Sequence, residues 1–196
     1  MEYFTSDWHL GHNGVIQMAN RPFSSTEDMN EKILDMVLTT TKKGDTLYHL
    51  GDLAFNSESA DKALHDIRKH GVKFHWVLGN HDHQLPIDFL SVYCETINGF
   101  EVIKKDGQQI HLSHMPCTVW TSSFRNSWSL YGHIHAGSFE LAHMAEHQLG
   151  KSLCVNLEFH DYKMWTFEEV KDSMATKANN WDYEVYRQKG KYADEI

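Results

Sequence analysis

Apolar residues fall in short blocks along this chain, and several blocks stop abruptly at a glycine, an acid or a histidine. Glu2-Tyr3-Phe4-Thr5-Ser6 reads as a short strand that leads into Asp7-Trp8-His9, with His12, Asn13 and Gly14 in a following loop. Ser25 or Thr26 caps a helix with an acidic first turn, Glu27 and Asp28, and an apolar stripe of Met29, Ile33, Met36 and Val37. Thr46-Leu47-Tyr48-His49-Leu50 is a second strand, ending in Gly51-Asp52. A helix from about Ser59 to His70 turns Ala63, Leu64 and Ile67 inward and stops at Gly71. Lys73-Phe74-His75-Trp76-Val77-Leu78 is a third strand, cut short by Gly79-Asn80-His81-Asp82.

After residue 85 the pattern predicts hairpins in place of strand–helix alternation. Strands over 100–105 and 108–113 flank Asp106-Gly107, a strong two-residue turn signal, and the second ends at His114. Residues 117–126 are irregular. Ser129-Leu130-Tyr131 leads to Gly132-His133-Ile134-His135, Ser152 to Leu157 reads as a further strand, and Thr166 caps a last helix. No repeat, low-complexity run or linker interrupts the chain. The expectation is one domain over residues 1–177, followed by a tail or terminal helix over 178–196 that carries Trp181, Tyr183, Tyr186 and Tyr192.

Composition narrows the picture in three ways. At 196 residues with 41% apolar and 23% charged residues, the chain suits one soluble domain with a sizeable core. No apolar run approaches membrane-spanning length, and the start has no signal-peptide pattern. The 3 cysteines, Cys94, Cys117 and Cys154, form no CxxC pair and read as reduced thiols, so a cytoplasmic location is expected. A net charge of −9 argues against a broad nucleic-acid-binding surface. The anomaly is 15 histidines, which invites a search for metal sites.

That search returns to the strand ends. Gly-Asn-His-Asp alone is an ordinary polar turn, and Asp7-x-His9 alone is a weak pair. Together, the ends deliver Asp7 and His9, Asp52, Asn80 and His81, His114, and His133 and His135. This oxygen and nitrogen set without thiolate suits two borderline or hard divalent ions better than a structural zinc. His143-x-x-Glu146-His147 matches a short zincin-like pattern, but it has no third ligand and is read as a solvent-facing helix or loop.

The ordered series Asp7-x-His9, Gly51-Asp52, Gly79-Asn80-His81-Asp82, His114, Gly132-His133-x-His135 resembles the calcineurin-like metallophosphoesterase family, from residue 5 to about 135. Ser6 to His12 and Asn20-Arg21-Pro22-Phe23 resemble its small bacterial and phage members. The resemblance implies an α/β (α+β) fold, a four-layer α-β-β-α sandwich with two mixed sheets and a dinuclear metal site at the strand ends. It implies that Asp7, His9 and His135 bind one ion, that Asn80, His114 and His133 bind the other, and that Asp52 bridges them. His81 would lie beside the phosphate as the catalytic acid or stabiliser. The cofactors would be two divalent ions, manganese foremost, with iron, zinc or nickel as alternatives. The implied activity is hydrolysis of a small phosphodiester or nucleotide by a metal-bound hydroxide.

His12 and Asn13 are further candidates for substrate contact, with a plain loop as the other reading. Arg125, with Asn126, is a candidate for phosphate, against a surface arginine. Trp120 either stacks on a base or covers the core. Two other functions use the same residues: a nuclease or end-processing enzyme, which would need a basic track, and a non-catalytic metal-binding interaction module. The partner expected is a small phosphoester, not a membrane or an extended nucleic acid. The pattern does not give an oligomeric state.

Overall fold

The computed structural model describes residues 1–137 and 150–179. The N-terminal half builds one sheet from β1 (Glu2–Thr5), β2 (Thr46–His49), β3 (Lys73–Val77) and β4 (Thr96–Asn98), with β9 (Trp165–Thr166) added from the C-terminal part. The order is β4-β3-β2-β1-β9; the first four strands are parallel, and β9 runs antiparallel to β1.

Parallel neighbours need long crossovers, and two amphipathic helices supply them. In α2 (Thr26–Thr40) the Ser25 hydroxyl caps the Asp28 N–H, and Met29, Ile33 and Val37 are buried. Met36, expected in the same stripe, is only partly buried. The next helix, α3 (Ser57–His70), starts two residues before the expected Ser59 because the Asn56 side chain caps the Ser59 N–H. Both helices join one apolar cluster with Tyr3, Leu47, Phe74 and Trp76 of the sheet.

The second sheet has the order β5-β6-β7-β8, from β5 (Phe100–Lys105), β6 (Gln108–Ser113), β7 (Trp128–Tyr131) and β8 (Ser152–Cys154). The Asp106-Gly107 turn is present with φ of 48° and 83°, which a primed two-residue turn requires. The expectation of several hairpins is corrected: β5–β6 is antiparallel, but β6, β7 and β8 are parallel. Because β6 and β7 point the same way, both end on the same edge of the sheet, and each delivers a histidine there.

Phe4, Tyr48, Leu50 and Val77 of the first sheet share a cluster with Ile110, Leu112 and Leu130 of the second. The last helix among the described residues, α5 (Phe167–Ala175), starts with a Thr166–Glu169 capping box and adds Phe167, Val170 and Met174 to that cluster, packing on the edge strands β8 and β9. Beyond β1 and β8, a parallel bridge between Ser6 and Asn156 joins the sheets. The fold is thus mixed α/β with two mixed sheets, and no described helix is long and apolar enough to cross a membrane.

Four elements differ from the sequence reading because they are too short to show a period, among them the four-residue helix α4 (Ile87–Leu90). α1 (Asn13–Met18) lies where a loop is expected, β4 has three residues, and β9 has two. The strand expected over 152–157 ends at Cys154 and gives way to a tight helical turn at Leu157–Phe159. The 143–147 motif and the tail beyond residue 179 lie outside the described residues.

Candidate metal centre

Seven candidate ligands follow the carboxyl ends of parallel strands: Asp7 and His9 after β1, Asp52 after β2, Asn80 after β3, His114 after β6, and His133 and His135 after β7. They gather into two triads, Asp7–His9–His135 and Asp52–His114–His133, with the ligand atoms of each within 4.8 Å of one another. Asp52 Oδ2 lies 3.5 Å from His9 Nε2 and 3.4 Å from His114 Nε2, so one carboxylate oxygen stands between the triads. Asn80 Oδ1 is 2.9 Å from His114 Nε2.

The backbone is bent to achieve this. Asp7, His9, Asp52 and His133 adopt φ of 58°, 52°, 57° and 69°, a region that costs an ordinary residue free energy and persists only when its surroundings enforce it. Here the enforcing contacts are hydrogen bonds between the two strand ends, Asp7 N–H to Gly51 O at 2.9 Å and His9 N–H to Asp52 O at 3.0 Å. Close approach also explains the glycine before a ligand: a Cβ on Gly132 would lie 2.5 Å from Asp7 Oδ2.

Groups behind the ligands fix their orientation. His114 Nδ1 faces the Leu50 carbonyl at 2.8 Å; a carbonyl only accepts, so Nδ1 carries a hydrogen and Nε2 is the nitrogen that faces the site. His135 Nδ1 donates in the same way to Glu158 Oε1 at 2.8 Å. The buried Arg21 donates to Glu158 Oε1, to the Asp7 carbonyl at 2.7 Å and to the Trp8 carbonyl at 2.9 Å. Asp82, fully buried, accepts from the N–H groups of Asp52, Leu53 and Gly79 and from Trp76 Nε1, tying the end of β2 to the end of β3. Sequence reasoning gave none of Arg21, Glu158 and Asp82 a role. Arg21 and Asp82 sit inside motifs it had singled out, while Glu158 carries no local signal.

The donor set fits divalent ions. His9 Nε2 is buried without a hydrogen-bond partner, a cost that a cation would remove. Without one, the charges balance against each other. Burial pushes the Asp7 carboxyl up to about 6 and the His9 imidazole down to about 2. Burial also opposes charge on Asp52 and His114, but their mutual contact outweighs it. Asp52 falls below the usual carboxylate range, and His114 rises to about 9. A ligating imidazole must be neutral, so an ion held by this triad at pH 7 would displace the His114 proton. Calorimetry at pH 7 in buffers of different ionisation enthalpy should therefore show proton release, with affinity rising toward pH 9. Buffer-independent heats would contradict this.

Glu158→Ala should weaken metal at the Asp7–His9–His135 triad by about 10–100-fold, since it frees His135 and leaves Arg21 unpaired. Competition titration with a chelating dye would show one weakened equivalent and one unchanged.

His81 is half-buried beside the triads. Its backbone N–H donates to Asp52 Oδ1 at 2.9 Å, and its ring lies 5.5 Å from that of His9. The His12 ring is 5.7 Å from that of His9. Arg125 is not brought to the cluster. It is exposed, with its guanidinium over Phe124, and lines a cavity of about 270 Å³ with Lys104 and Gln108 at the start of β6, the opposite end from His114. Trp120 is buried and donates to the Ser127 carbonyl.

Fold and site define a mixed α/β protein with two adjoining candidate metal triads. No family model matches the chain. The chain is 30% identical over 165 residues to an uncharacterized protein, MJ1445, of Methanocaldococcus jannaschii, which spans 82% of this chain and 84% of that protein. It belongs to the same family as MJ1445. The crystal structure of AQ665, a protein of unknown function from Aquifex aeolicus, matches with a TM-score of 0.71 at 26% identity, over 88% of this chain and 98% of that one. A phosphopantetheinyl hydrolase from Mycobacterium tuberculosis aligns over 94% of this chain and 78% of its own with a TM-score of 0.33 at 14% identity, a similarity on which nothing rests.

Proposed function

We propose that this chain is a dinuclear-metal-dependent phosphoester hydrolase of the calcineurin-like type, acting on a small phosphodiester or nucleotide. The observation that carries the reading is Asp52 Oδ2, within 3.5 Å of a histidine nitrogen of each triad. A single carboxylate oxygen so placed serves two cations and reduces their repulsion. Asp7, His9 and His135 would hold one ion, and Asn80, His114 and His133 the other. Two divalent ions, manganese foremost and iron, zinc or nickel otherwise, supply when bound a clamp for phosphate oxygens and a lowered pKa for water.

The chain's own groups do the rest. The neutral imidazoles of His9 and His133 leave net positive charge for a phosphate. His81 sits outside both triads and protonates the departing oxygen or stabilises its charge. The four-layer sandwich belongs to the same proposal. It is supported by α2 and α3 on one side of the first sheet and by the cluster shared between the sheets. Cys94 and Cys154 are thiols outside any disulfide, which supports a reducing, cytoplasmic setting.

The test uses metal-stripped protein, chromogenic phosphate mono- and diesters, and added Mn²⁺, Ni²⁺, Zn²⁺ or Mg²⁺. Metal-restored cleavage is expected, and the ester ratio separates diesterase from phosphatase. Two bound ions with no cleavage of either ester would favour the non-catalytic module instead.

A further inference from the structure

The segments that leave β1 and β2 stay paired beyond the metal ligands. Leu10 N–H donates to the Leu53 carbonyl at 3.0 Å, Phe55 N–H donates to the Leu10 carbonyl at 2.8 Å, and Leu10 and Ala54 form a parallel bridge. The ladder that positions His9 and Asp52 therefore continues outward and carries His12 on one segment and Phe55 on the other. Their rings stack nearly parallel, with centroids 4.3 Å apart and planes 9° from each other.

This stack does not complete the core. Leu53 and Ala54 are buried, but Phe55 is 42% exposed and belongs to none of the three apolar clusters among the described residues. A single exposed apolar side chain needs no explanation. A phenyl ring held flat against an imidazole, on the backbone ladder that also supplies two metal ligands, is a different object: a rigid aromatic face at the shoulder of a phosphate-type site. Ring-to-ring steps of 5.7 Å from His9 to His12 and 4.3 Å from His12 to Phe55 set its reach. A nucleotide, whose phosphate and base are separated by one ribose, spans such an interval.

We propose that the His12–Phe55 stack is a base-stacking platform, and that the substrate is a nucleotide-class phosphoester whose flat heteroaromatic ring lies on it while its phosphate sits among Asp52, Asn80 and His81. This rests on the phosphoester reading above and narrows it. Every nucleobase has a π-face, so the platform takes bases as a class and does not discriminate among them. The net charge of −9 keeps the ligand small, because a long polyanion would be repelled.

Calorimetric titration of the Mn²⁺-loaded protein with adenosine 5′-phosphonate and ribose 5-phosphonate tests it. The two ligands differ in the base alone, and their P–C bond resists hydrolysis. Stacking predicts about 5- to 150-fold tighter binding of the adenosine compound. Phe55→Ala should abolish that advantage while ribose 5-phosphonate still binds, and Phe55→Trp should preserve it. Equal affinities in the unaltered protein, an advantage that survives Phe55→Ala, or equal weakening of both ligands would each overturn the platform and leave the hydrolase reading standing. Binding of neither ligand would overturn the phosphoester reading and the platform with it.

Discussion

Asp52→Ala is expected to cost the protein both metal ions and, with them, all measurable metal-dependent turnover. The loss should exceed the 10–100-fold in affinity typical of removing a supporting group, because Asp52 touches both triads directly. Its Oδ2 is the anion shared by His9 and His114. Without it, the raised affinity of His114 for a proton loses its first favourable cause, and of the two carboxylates that act on this imidazole only Asp7 remains. Its Oδ1 also receives the His81 N–H, so the turn that carries Asn80 would loosen as well. Elemental analysis after dialysis, with circular dichroism to confirm folding, reads the outcome. Two retained ions and full activity would sink the bridging assignment.

His81→Ala should behave in the opposite way: two ions bound, and turnover lower by about 10²–10⁴-fold. The ring belongs to neither triad, and the atom that ties residue 81 to Asp52 is its backbone nitrogen, which alanine keeps. A loss confined to kcat, with metal content unchanged, is the signature of a group that acts on the departing oxygen. Metal loss in this variant would place His81 among the ligands instead.

The strand ends were legible because each combines two strong local signals, an apolar run and a glycine followed by a polar group. Gly51-Asp52, Gly79-Asn80 and Gly132-His133 all fall where sequence places them, and the glycines are there because the neighbouring ligand leaves no room for a Cβ. The helix cap at Ser25 and the Asp106-Gly107 turn were legible for the same reason: each depends on residues within four positions. What sequence could not show is long-range. Arg21 and Glu158 meet across 137 positions, and nothing near either residue announces the other. The direction of β7 beside β6 depends on sheet packing, so a hairpin was the wrong expectation for it. Arg125 shows the reverse case, since a guanidinium suits phosphate wherever it sits, and this one sits in a loop beside Lys104 and Gln108, at the start of β6 and not at its His114 end.

The two sheets draw their ligands from separate stretches of chain, Asp7 to Asn80 for one and His114 to His135 for the other. A chain emerging from the ribosome would expose Asp7, His9, Asp52 and Asn80 well before the histidines that complete either triad had been synthesised. Those four residues alone are a sparse, open chelator. If the triads hold ions as proposed, capture would wait until the polypeptide has been made through residue 135 and its halves have docked, and a stalled or truncated product would compete poorly with other cellular ligands for metal.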